Sequence, residues 1–271
     1  MPLFQTNDVN LFYSTHGSGQ PVLLIHGWAC DGNDWSFQIP HLLSLGFSVI
    51  ALDQRGHGRS SAPADINSYT LATFAKDAMS LLQHLDISSV ILMGHSMGSV
   101  IASYLAAKYP DIVKALVLVH PIYAGAPPTL RGMGDEMIAH PDRVYALSEG
   151  FWMNYMYTPR TPEWLKVWQV RRLNGCDPTA LAGCLVGLAK DFGTVMGQTE
   201  ETKAFMRKRK GPRLAVCTLP DAPAWEYEIG VEEGVDEVHE LTEGTFSHMV
   251  QNDKFNDILE RWLRKRDLAV L

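Results

Sequence analysis

The sequence predicts an α/β protein: a mostly parallel, doubly wound sheet of eight strands with a helical segment inserted near its middle. Three observations carry this expectation. Short runs dense in Val, Ile and Leu alternate with segments of helical periodicity, the pattern of strands covered on both faces. One apolar run passes through Gly94-His95-Ser96-Met97-Gly98 straight into an alanine-rich, helix-competent stretch. The alternation then stops over residues 121–210, which contain Met, Trp and Tyr but no strong strand. The expected organisation is therefore a core of residues 1–120 and 211–271, with residues 121–210 as a helical cap.

Taken in order, residues 3–15 read as two short strands turning about Asn7-Asp8, with the alternation of an edge hairpin. Residues 21–25 form a wholly apolar run that ends in His26-Gly27-Trp28, and such a strand end is where α/β sheets place ligands. A helix over 35–45 and a buried strand over 47–53 follow. The loop from Asp53 to Ser60 comes next; its Asp53 and Arg55 are suited to tie it to neighbouring strand ends, a scaffolding role. Residues 69–85 make an amphipathic helix with Leu71, Phe74, Ala78, Leu81 and Leu82 on one face. Strands are expected at 90–93, 113–119, 213–219 and 235–241, and a closing helix at 250–264.

Chemistry concentrates at the turn around Ser96. Glycines two residues before and after it let a strand and a helix meet closely, which lifts the serine above the sheet edge as a nucleophile. The backbone N–H of Met97, at the helix start, then faces the place where a negative oxygen would develop, and Gly27 allows the N–H of Trp28 to face it as well. Asp221, directly after the 213–219 strand, and His248, before the last helix, complete the order nucleophile, acid, histidine. Glu226 and Glu228 are alternative acids, and His239, inside a predicted strand, is an alternative base. The pocket is expected to be walled by Trp28, Tyr123, Phe151, Trp152 and Tyr155.

These motifs together resemble the α/β-hydrolase superfamily of esterases, lactonases, cofactor-free haloperoxidases and epoxide-hydrolase-like enzymes. The resemblance runs through His26-Gly27-Trp28, the 53–60 loop, Gly94-His95-Ser96-Met97-Gly98, Asp221 and His248. It implies that Ser96 attacks an acyl carbon, His248 relays the proton, Asp221 orients the imidazole, and the Trp28 and Met97 amides hold the oxyanion. A serine at this position, where epoxide hydrolases and haloalkane dehalogenases carry aspartate, disfavours both of those activities. Two departures stand out: Thr218-Leu219-Pro220 precede Asp221 in place of the family's Gly-x-x-Asp, and Ser247-His248 stands for its usual Gly-His.

The expected activity is hydrolysis of a small apolar carboxylic ester or lactone through an acyl-enzyme. The alternatives are carbon–carbon bond hydrolysis of a diketone or acyl chain by the same groups, and a receptor-like binding module with little turnover. A net charge of −7 argues against nucleic acid as the main partner. No apolar run is long enough to span a bilayer and the first residues do not form a leader, so a cytoplasmic location is expected. The four cysteines are scattered without a CxxC pair, and the ten histidines show neither His-x-His nor His-x-x-x-His spacing, so neither a disulfide framework, a metal nor a cofactor is expected. Oligomeric state is not readable from the sequence.

Overall fold

A computed structural model of the chain describes residues 3–6, 8–122 and 129–269. Eight strands form one sheet: β1 (Leu3–Gln5), β2 (Asn10–His16), β3 (Pro21–Ile25), β4 (Ser48–Leu52), β5 (Val90–His95), β6 (Val113–Val119), β7 (Arg213–Cys217) and β8 (Glu237–Glu240). Their spatial order is β1-β2-β4-β3-β5-β6-β7-β8. Strands β3 to β8 run parallel, while β2 is antiparallel to both β1 and β4 and forms the expected edge hairpin with β1. The strand order reverses direction between β4-β3 and β5, so the ends of β3 and β5 lie at the switch point of the sheet.

The helices of the first half are α1 (Gln38–Ser44), α2 (Leu71–His84) and α3 (Met97–Lys108). After β6 come α4 (Thr129–Ala139), α5 (Val144–Phe151), α6 (Glu163–Leu173), α7 (Pro178–Lys190) and α8 (Glu200–Met206), and after β7 come α9 (Ala222–Ile229), α10 (Ser247–Val250) and α11 (Asn252–Lys265). The continuous apolar strands are explained by burial on both faces. On β3, Leu23 and Ile25 pack with the apolar faces of α2 and α3, whereas Val22 and Leu24 pack with α1 and α11 through Leu42, Phe255, Leu259 and Trp262. On β5, Val90 and Leu92 take the first side and Ile91 and Met93 the second. The expected helix over 35–45 begins later, because a 3₁₀ turn at Gly32–Trp35, capped by the Asp31 carboxylate on the Asn33 N–H at 2.8 Å, precedes α1.

The segment expected to lack strands is helical from α4 to α8. It is fastened to the rest of the molecule through α7. The Trp28 indole donates to the Leu181 carbonyl at 3.0 Å, and Gly187 lies so close to the Tyr69 carbonyl oxygen that a Cβ there would overlap it. Among the described residues no helix is long and apolar enough to cross a membrane.

The loop after β4 has the expected scaffolding role. Buried Asp53 accepts hydrogen bonds from the Gly32 N–H at 2.8 Å and from Arg59 Nε at 2.7 Å, and buried Arg55 makes two bonds to Asp77 on α2, at 2.7 and 2.8 Å. These contacts hold the ends of β3 and β4 in register beneath the site.

Candidate active site

Ser96 is built by local geometry. It sits between β5 and α3 with φ 53° and ψ −117°, a conformation costly for a residue bearing a Cβ and found where the surroundings over-determine it. What over-determines it is close packing: a Cβ on Gly94 would overlap the Gly98 carbonyl, and one on Gly98 would overlap the Ile25 carbonyl. The Ser96 N–H donates to the Val119 carbonyl at 2.9 Å, so the turn is also tied sideways to the end of β6.

Ser96, Met97 and Trp28 line one cavity of about 630 Å³. Among the described residues, no hydrogen bond engages the backbone N–H of Trp28 or of Met97. The preceding histidine fixes this loop: His26 Nδ1 donates to the Gly27 carbonyl at 2.8 Å and its Nε2 accepts from the Gln54 N–H at 3.0 Å. Burial pushes its pKa down to about 4, so the ring stays neutral in this structural role.

The cavity walls are apolar: Ile122, Leu130, Met133, Leu147, Phe151, Met156, Leu185, Leu188 and Leu219 join Trp28. Of the expected wall residues, Phe151 and Tyr155 line the cavity, with Phe151 edge-on to Trp28 at 6.0 Å between ring centroids. Trp152 does not; it is fully buried behind Trp28, at 6.5 Å, because it belongs to a π-helical turn whose next residues face outward. Tyr123 lies outside the described residues. The aliphatic lining from α4, α5 and α7 was not singled out by sequence reasoning, since Leu and Met on short helices carry no signal that separates a cavity wall from a core.

The acid and the histidine expected to serve Ser96 are not brought together. Asp221 is exposed, at the N-terminal boundary of α9, and makes no hydrogen bond with His248. The sequence correctly places it after β7, but α9 begins at once and turns the carboxylate toward solvent. His248 is wholly buried on the far side of His95, with ring centroids 4.4 Å from His95 and 5.0 Å from Trp35. Among the described residues neither of its ring nitrogens has a hydrogen-bond partner, and burial holds its pKa well below the ordinary value. The alternative groups are elsewhere too. Glu226 is buried against Arg213 at 3.1 Å, Glu228 pairs with Lys203 at 2.9 Å, and His239 pairs with Glu237 at 2.9 Å.

At the strand ends, His120, directly after β6, and Thr245, three positions before His248, share the cavity with Ser96; Glu136 and Asn154 of the helical segment line it as well. His120 Nδ1 is hydrogen-bonded to the Thr218 hydroxyl, and its Nε2 is 3.4 Å from the Thr245 hydroxyl. Thr218 and Thr245 belong to the loops after β7 and β8, which lead into Asp221 at the start of α9 and His248 in α10. Thr218 and Thr245, rather than Asp221 and His248, are the residues of these two stretches that meet His120.

One group of metal-ligand type occurs among the described residues, Cys30, Asp34 and His95, all buried. It does not suit a cation. Arg172 of α6 already forms an ion pair with Asp34, placing a fixed positive charge at the group, and burial pushes the Cys30 thiol up to about 12. All four cysteines are free and buried.

Comparison with known proteins agrees with the geometry. Residues 20–157, about half of the chain, match the family model described as the alpha/beta hydrolase fold. A stretch of 125 residues is 35% identical to "Bifunctional epoxide hydrolase 2" of Sus scrofa, covering 46% of this chain and 22% of that one. Another of 153 residues is 37% identical to "Non-heme chloroperoxidase CPO-A1" of Kitasatospora aureofaciens, covering 55% of this chain and 54% of that protein. The match thus spans about a fifth and about half of these two relatives. Among solved structures, the enol-lactonase from Burkholderia xenovorans LB400 superposes with a TM-score of 0.82 at 19% identity over 97% of this chain and 100% of that one, a likeness of fold.

Proposed function

The chain belongs to the α/β-hydrolase fold family, and from that premise we propose that it cleaves a small apolar carboxylic ester or lactone with Ser96 as the nucleophile. The observation that carries the reading is the strained Ser96 turn opening on an apolar cavity of about 630 Å³. In it, Ser96 Oγ attacks the acyl carbon and the Trp28 and Met97 amides, which no other group among the described residues engages, hold the oxyanion. The helices from α4 to α8 act as the lid whose aliphatic walls select the acyl or alcohol part. The share of the relatives that is matched leaves their substrates as theirs; an ester or lactone is preferred here because serine forms an acyl-enzyme that water can cleave.

A panel of p-nitrophenyl esters and aryl lactones, read with the wild type and with Ser96→Ala, tests this. Turnover that depends on Ser96 is the expected result. A receptor-like role with little turnover is the second reading, and the specific observation favouring it is that Asp221 and His248 stand apart from each other. Ligand binding without turnover by wild type and Ser96→Ala alike would select it.

A further inference from the structure

We propose that His120, not His248, is the histidine that takes and returns the Ser96 proton. This rests on the reading of Ser96 as nucleophile and adds the identity of its base. Four independent observations converge on it. His120 lines the cavity with Ser96, whereas His248 does not. The Ser96 N–H is bonded to the carbonyl of Val119, the residue before His120, so the turn and the histidine spring from adjacent points on neighbouring strand ends.

Backbone strain marks the same place. Five non-glycine residues among those described have positive φ, and two of them, Ser96 and His120, stand at the ends of β5 and β6 and line the cavity. For His120 the value is 50°, uncommon for a residue bearing a Cβ though less so for histidine than for most, and such conformations collect at functional sites. The hydrogen bonds supply the fourth observation. Both ring nitrogens face hydroxyls, Nδ1 that of Thr218 and Nε2 that of Thr245 at 3.4 Å, so the ring can carry its proton on Nδ1 toward Thr218 and leave Nε2 to accept. That is the tautomer a general base requires, and a contact as long as 3.4 Å is one that substrate can replace.

The step balances without any further reactant. As Ser96 Oγ bonds to the acyl carbon, its proton passes to His120 Nε2 and the carbonyl electron pair moves onto the oxygen facing the Trp28 and Met97 amides. The acyl–oxygen bond of the ester then breaks, and Nε2 returns the proton to the leaving alcohol oxygen. In the second half the water oxygen bonds to the acyl carbon as its proton passes to Nε2; the Ser96 Oγ–acyl bond then breaks, Nε2 returns the proton to Oγ, and the acid leaves. In both halves Thr218 is a positioning residue that keeps the proton on Nδ1. It supplies no negative charge to the imidazolium, so the same geometry makes turnover slow for a serine hydrolase.

The test compares His120→Ala, His120→Gln, Thr218→Val and His248→Gln in the full chain, each checked for folding by circular dichroism. Fluorophosphonate labelling and p-nitrophenyl ester hydrolysis are read with and without added imidazole. We expect His120→Ala to lose about 10²–10⁴-fold in kcat with little change in KM, and to recover as free imidazole fills the vacated space. Thr218→Val should lower kcat without imidazole rescue, and His248→Gln should lose less than His120→Ala and show no rescue. If His120→Gln hydrolyses like wild type, or if imidazole rescues a His248 variant, the assignment to His120 is overturned while the Ser96 reading stands. If the wild type is neither labelled nor active, the Ser96 reading itself fails, and the assignment fails with it.

Discussion

Gly98→Ala is the sharpest mechanical test of how Ser96 is held. The added methyl would overlap the carbonyl oxygens of Ile25 and His26, at the end of β3 and in the loop that carries Trp28. These are main-chain atoms, so no side-chain rotation relieves the clash and α3 must back away from β3. Forcing an extra methyl into packed structure costs about 1–3 kcal/mol, and the upper end applies here because the obstruction is backbone. For a chain of this size that is a fall in Tm of roughly 6–12 °C, at about 2–4 °C per kcal/mol. The same retreat moves Ser96 and the Met97 amide away from Trp28, and a displacement near 1 Å costs about 10²-fold in rate. Thermal melting and the rate of fluorophosphonate labelling read the two effects. Gly132→Ala is the control, since a Cβ there meets nothing within 4 Å and α4 gains a better helix former. A Gly98→Ala protein that melts within a degree of wild type and labels at the same rate would refute the argument that close packing imposes the Ser96 conformation.

Three further outcomes are expected. Burial pushes His26 and His95 down to about 4 and His57 and His120 to about 3, and holds His248 well below its ordinary value. Because the unfolded chain then binds protons the fold does not, this stability is complete above about pH 6.5 and is lost as pH falls toward the folded values, about 2 kcal/mol per group by pH 5. Cooperative unfolding between pH 6.5 and 5, followed by tryptophan fluorescence, is predicted, and an unchanged Tm across that range would be inconsistent with it. The buried Asp34–Arg172 pair joins the 3₁₀ turn after β3 to α6. Arg172→Met alone should cost about 3–5 kcal/mol in urea unfolding, and adding Asp34→Asn should restore part of it, since the single change strands a buried charge; additive losses would show that the pair is not coupled. Phe151→Ala should move the ester chain-length optimum upward by a few carbons, at roughly 0.8 kcal/mol of binding per methylene newly accommodated, whereas an unmoved optimum would place the acyl chain elsewhere.

What was legible in the sequence follows the range of the interactions involved. The strands were readable because their burial on both faces writes itself into every residue, as in Val22 to Ile25. The Ser96 turn was readable because its requirements, two glycines and a serine, lie within five positions. The loops after β7 and β8 were located, but which of their residues reaches the cavity depends on geometry with no local signature. An immediate helix start leaves Asp221 outward, and past Gly244, with φ 70°, Thr245 rather than His248 lines the cavity. The signal at His120 is a single polar residue ending the apolar run of β6, which is indistinguishable in sequence from a strand terminus. Trp152 was expected beside Phe151 in the wall, but in consecutive helical residues the side chains diverge, and one faces the cavity while the other faces the core.

Fluorophosphonate treatment of the wild-type chain, read by intact mass and by peptide mapping, tests Ser96 as the nucleophile most directly. A single adduct is expected, carried by Ser96 and absent from Ser96→Ala. An unmodified chain, or an adduct on any other residue, would contradict it.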